Sequence, residues 1–108
     1  MNVKQMAPRR FPSGDSYTVA MLKYEPEEIS ALYHLQFQED RDDLDYFVFA
    51  AFENPQIGQV LLLKYKNDQV NGTEVLVDSK VSVAAGLQAI QSTLNLKPDD
   101  IIWVCPQR

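Results

Sequence analysis

FQEDRDDLDYFVFAAFENP, Phe37 to Pro55, decides how this chain is read. Its first part sets five carboxylates, Glu39, Asp40, Asp42, Asp43 and Asp45, within seven residues, and an almost wholly apolar run follows. In an extended chain successive side chains point to opposite faces. Tyr46, Val48, Ala50 and Phe52 therefore share one side and Phe47, Phe49 and Ala51 the other, and both sets are apolar. Such a strand belongs inside a sheet with both faces covered. DIIWVC, Asp100 to Cys105, reads the same way, with Ile101, Trp103 and Cys105 opposite Ile102 and Val104.

Outward from this stretch, the elements follow from local chemistry. SYTVAMLKY (Ser16 to Tyr24) is β-branched and aromatic enough for a strand. EPEEISALYHLQF reads as a helix with Pro26 at its first position and Glu27 and Glu28 where the dipole favours acids. Ile29, Leu32 and Tyr33 form its expected buried stripe. Beyond Asn54 and Pro55, IGQVLLLKYK and TEVLVD are the third and fourth strands. Of the turn signals between them, Asn71-Gly72 is the stronger, because it tolerates positive φ. A longer loop setting Leu63 against Leu76 and Leu62 against Val77 buries more than a two-residue turn there, and is the expected register. VSVAAGLQAIQSTLNL is a second helix with Val83, Leu87, Ile90 and Leu94 in one stripe. Gly86 inside it costs roughly 1 kcal/mol against alanine and points to close packing on the sheet. Pro98 ends the helix. The order β-α-β-β-β-α-β predicts one α+β domain over residues 15–108, a mostly antiparallel five-stranded sheet with two helices. Residues 1–14, with Pro8, Pro12 and Gly14 and no periodicity, predict a flexible basic arm.

At 108 residues, 45% apolar and 23% charged, the composition is that of an ordinary globular domain with a single core. The formal charge is −5, and the only charged residues before Gly14 are Lys4, Arg9 and Arg10. An acidic body makes nucleic-acid binding an unfavourable expectation, since its field repels phosphate. Cys105 is the single cysteine, so no internal disulfide forms and a cytoplasmic setting is expected. No apolar run has the length of a membrane span.

The acidic stretch admits three readings. As a calcium loop it has oxygen ligands at Asp40 and Asp42, but Leu44 stands at the third ligand position and Asp45 where glycine is needed. No metal is expected there. As a charged flank it keeps YFVFAAF from pairing between molecules. As a docking surface, Glu39, Asp40, Asp42, Asp43 and Asp45 steer a basic partner.

His34, the only histidine, shares a helix face with Glu27, Ser30 and Gln38, with no visible oxyanion hole. Asp78 closes a strand before a helix, where α/β enzymes place a carboxylate, yet SKVS lacks the glycines of a phosphate loop. Asp78, Ser79 or Ser82 as a helix N-cap explains the same residues. Tyr46, Phe47, Phe49 and Trp103 read as core rather than a base-stacking platform, for want of interleaved cations. No motif of a known family is legible.

The expectation is a small non-catalytic interaction or regulatory module, of adaptor, inhibitor or immunity type, without a cofactor. It binds a protein partner through the acidic surface and an apolar sheet face. The alternative is a small enzyme or ligand-binding protein whose pocket collects His34 and Asp78. Because two helices on one side leave the second sheet face open, a homodimer through Tyr46 to Phe52 and Leu61 to Tyr65 is expected.

Overall fold

Alternating apolar runs separated by turn residues become strands in the computed structural model, which describes residues 3–7, 15–41, 43, 45–67 and 70–106. The elements are β1 (Gln5–Met6), β2 (Ser16–Leu22), α1 (Pro26–Tyr33), β3 (Gln38–Arg41), β4 (Tyr46–Asn54), β5 (Gly58–Tyr65), β6 (Thr73–Asp78), α2 (Val83–Leu94), a 3₁₀ turn (Pro98–Asp100) and β7 (Ile101–Val104). One antiparallel sheet runs in the order β1-β4-β5-β6-β2-β7, with β3 also on β4. The single α+β domain with two helices is as the sequence indicates, with β1 and β3 added to the five strands read there.

Both helices lie on one face. Ile29 and Tyr33 of α1 and Val83, Ile90 and Leu94 of α2 bury against Ala50, Phe52, Val60, Leu62, Val75 and Val77. Ser82 caps α2 by accepting from the Ala85 N–H at 3.1 Å. A Cβ at Gly86 would stand 3.2 Å from Val19 Cγ2, so the glycine lets the helix approach the sheet closely. Leu32, expected in the buried stripe of α1, is exposed instead. The helix is only two turns long and ends at Tyr33, whose hydroxyl donates to the Leu94 carbonyl at 2.7 Å, and this rotates Leu32 towards water.

The second face carries Phe47, Phe49, Ala51, Leu61 and Leu63, with Met6, Tyr65 and Leu76 around them. Each of these five is at most 7% exposed. The Phe47 ring packs 5.7 Å from that of Phe49 and 5.5 Å from that of Tyr65. The reasoning that called for a homodimer through this face therefore fails, because its large side chains are already buried within one chain.

Three further expectations change. The β5–β6 register pairs Leu61 with Leu76, Leu62 with Val75 and Leu63 with Glu74, two residues away from the one anticipated. A shift of two preserves which side chains face which layer, so alternation could not discriminate between the registers. Glu74 is accommodated there by Thr18, whose hydroxyl donates to its carboxylate at 2.7 Å. Second, β7 is the sheet's edge strand and not a central one. Third, part of the expected arm is paired with the sheet: Gln5 pairs with Phe52 and Met6 with Ala51. The Glu53 N–H donates to the Lys4 carbonyl at 3.0 Å, and the Gln5 amide clasps the backbone of Gln36 through bonds of 2.7 and 2.9 Å. Residues 1, 2 and 8–14 of the expected arm lie outside the described residues.

This docking gives the first stability prediction. Removing residues 1–7 deletes the clasp, the strand pairing and the packing of Val3 and Met6. The expected cost is about 2 kcal/mol, lowering Tm by roughly 8–16 °C in a calorimetric scan. An unchanged Tm would mean that β1 adds nothing to the fold.

Candidate interaction edge

The sheet has two outer edges of opposite character. On one, β1 and β3 share the outer side of β4 end to end, β1 at Ala51 and Phe52 and β3 at Tyr46 to Phe49. All four residues of β3 are exposed. Two of the five carboxylates read from the sequence, Glu39 and Asp40, thus stand in a polar strand that covers the apolar one, a direct form of edge protection, while Asp43 and Asp45 lie between β3 and β4. Part of this charge is balanced locally. Glu39 pairs with Lys66 at 2.6 Å, and Asp45 accepts from the Asn67 N–H at 2.7 Å. The Asp40 carboxylate accepts from the Arg41 N–H at 2.8 Å. Arg41 and Lys66 approach the Tyr46 ring at 5.6 and 5.9 Å from its centroid. Asp43 is exposed, and Asp42 lies outside the described residues.

On the other edge, β7 pairs only with β2 among the described strands. Ile102, Trp103 and Val104 are 50%, 44% and 42% exposed. Val70 is another exposed apolar residue, and the adjoining Gly72 approaches the Ile102 side chain. No charge interrupts IIWV, so this edge lacks the gatekeeping chemistry of its opposite. Among the described residues its protection is its short length and an irregularity where Leu22 pairs with Ile101 and Met21 with Trp103. Cys105 continues the strand, partly buried against the core, its N–H donating to the Val19 carbonyl at 2.9 Å.

The start of β7 is held by Asp100, which is 8% exposed. Its carboxylate accepts from the Lys97 N–H at 2.9 Å and the Tyr24 hydroxyl at 3.0 Å, and pairs with Lys23 at 3.1 Å. The Lys97 backbone bond, helped by Lys23 and Tyr24, outweighs desolvation and holds the carboxyl below its ordinary value near 3.8. A lowered folded-state value stabilises the fold at neutral pH, and that contribution is lost as pH falls from about 4 through the folded-state value. Asp100→Ala is expected to cost about 2 kcal/mol at pH 7. The gap between wild type and variant in urea melts should narrow below about pH 4. A pH-independent gap would remove the charge from the account.

The two residues of the alternative pocket are not brought together. Asp78 accepts from the Lys80 N–H at 2.9 Å at the N-terminal side of α2. It lines a groove of about 420 Å³ with Asp15, Lys80, Ile57, Leu61 and Leu76. His34 ends α1 in the left-handed conformation (φ 57°), beside the helix whose Tyr33 reaches the other end of α2. The twelve residues of α2 span about 18 Å between those ends. That exceeds the reach of a shared proton transfer. Nor do the aromatics form one platform, since Phe47 and Phe49 are buried and Trp103 lies across the sheet from them. No group of three or more metal-ligating side chains occurs among the described residues, and no helix there is long and apolar enough to cross a membrane.

Comparison with protein-family models, curated proteins and solved structures returns no match for this chain. Sequence reasoning took Ile102, Trp103 and Val104 for core because alternation cannot separate an edge strand from a central one. The signals available were the strand's shortness and Pro106 just beyond it.

Proposed function

We propose that this protein is a non-catalytic interaction module, of adaptor, inhibitor or immunity type, that binds a protein partner along β7. The supporting observation is the contrast between the edges: one is covered by β1 and the charged β3, the other exposes Ile102, Trp103 and Val104 on a strand that, among the described strands, only β2 pairs. Sheet edges of this kind accept an added strand, with main-chain bonds supplying affinity and side chains supplying selectivity. The acidic β3 then acts in protection and long-range steering rather than as the contact itself. A cytoplasmic setting belongs to this proposal, on the strength of the lone cysteine.

Parallel capture from native lysate with wild type, Trp103→Asp and Asp40→Lys tests it, each variant first checked for an unchanged Tm. A protein retained by wild type and Asp40→Lys but lost by Trp103→Asp supports the edge. Retention by Trp103→Asp with loss by Asp40→Lys assigns binding to the acidic strand and removes β7.

A second reading has its own observation. The groove at Asp78 falls within the size range of ligand sites, about 300–1,000 Å³, and sets carboxylates beside an apolar floor. Here Asp78 would bind a small ligand without His34. A thermal-shift screen of small organic cations checks it: stabilisation abolished by Asp78→Ala favours the groove, and no stabilisation by any compound discards it.

A further inference from the structure

We infer that the occupant of β7 is a short extended segment of another protein, alternating apolar and basic residues, that joins the sheet as an additional strand. This rests on the edge reading above and names the partner's chemistry. Three candidate occupants can be compared: a second copy of the chain, an acidic or neutral strand, and a basic one.

Area weighs against a second copy. Ile102, Trp103 and Val104, each about half exposed, present on the order of 300 Å², against roughly 800 Å² per partner in a standard stable interface. β7 is four residues long, so a two-fold pairing offers few main-chain bonds in compensation. Charge points the same way. Each chain carries −5, so two copies approaching edge to edge repel, whereas the same field draws in a cationic segment. An extended peptide needs only the main-chain ladder and two or three side-chain contacts, which matches the footprint available. The partner's apolar positions would cover Ile102, Trp103 and Val104. Its basic positions would face water in the negative field of the domain, which also disfavours acidic segments of equal hydrophobicity.

The sequence provides its own reporter, since Trp103 is the only tryptophan and stands on this edge. The full chain is titrated with a synthetic peptide of alternating valine and threonine capped by lysines, with its glutamate-capped counterpart, and with the lysine peptide N-methylated at alternate residues. Expected are a blue shift of Trp103 emission with the lysine peptide, affinity at least about tenfold weaker for the glutamate peptide, and loss of binding on N-methylation. Weakening of the lysine peptide in 0.5 M salt is also expected, because exposed charges are then screened. Equal affinity for the lysine and glutamate peptides overturns the basic chemistry while leaving the edge as a strand acceptor. Unshifted emission with every peptide overturns strand addition itself. A blue shift of the protein alone on concentration makes a second copy the occupant and overturns the inference.

Discussion

Gly72→Ala should be among the most damaging single substitutions in the molecule. Gly72 sits at φ 117°, a conformation side chains rarely adopt, and an added Cβ would collide with the Leu22 carbonyl oxygen and come within 3.2 Å of Ile102 Cδ1. Its N–H also donates to the Glu25 carboxylate, which pairs with Lys64 at 2.6 Å, while Lys64 reaches the Val70 carbonyl at 3.1 Å. Movement of the backbone to relieve the collision therefore disturbs a partly buried ion pair as well. The expected loss is about 3 kcal/mol, or roughly 12–24 °C in Tm. Gly58→Ala is the control: its φ is 83° but nothing lies within 4 Å of an added Cβ, so only backbone strain of about 1 kcal/mol remains. Similar losses for the two variants would show that crowding at Gly72 is not the cause. Because Gly72 abuts Ile102, the damage should also reach β7 and appear in Trp103 fluorescence.

Phe47→Ala is expected to cost about 3–5 kcal/mol, the usual range for deleting a buried ring, since Phe47 is 1% exposed and packs on Phe49 and Tyr65. The measurement is urea denaturation at two protein concentrations differing about a hundredfold. Burial within one chain gives the same midpoint at both, whereas burial between two copies raises the midpoint with concentration. A loss under about 1 kcal/mol would mean that the second face is not part of the core. The result bears on the proposed function too: with that face closed inside the chain, β7 holds three of the six exposed large apolar residues among those described.

The two faces of the sheet were legible to different degrees. Asp45 to Asn54 announced a strand buried on both sides, and Phe47 and Phe52 are both core. What the same pattern left open was whether the second face was covered within the chain or by a twin. The candidate site was the less legible part. His34 and Asp78 drew notice as chemically capable groups, but nothing in a linear sequence sets them at opposite ends of α2. The edge residues Ile102, Trp103 and Val104 carry no chemical mark at all. Their interest comes from exposure.

By itself the sequence determined the order of five strands and two helices, the α+β class and the faces of those strands, because propensity, turn chemistry and period-two alternation are local properties of neighbouring residues. It also set a charged run, Glu39 to Asp45, beside an apolar one, Tyr46 to Phe52, but not that part of the charged run would form β3 and pair with β4. Tertiary structure alone decided strand order, and with it that β7 lies at an edge while β4 is flanked by β5 on one side and by β1 and β3 on the other. It decided the β5–β6 register, since a slip of two residues leaves every side chain on its own face. It decided the docking of Gln5 and Met6 as well, where a two-residue strand has no periodicity to read and gains its stability from β4 and from Gln36. These are non-local pairings, fixed by which distant backbone groups find partners, and composition and spacing along the chain do not encode them one residue at a time.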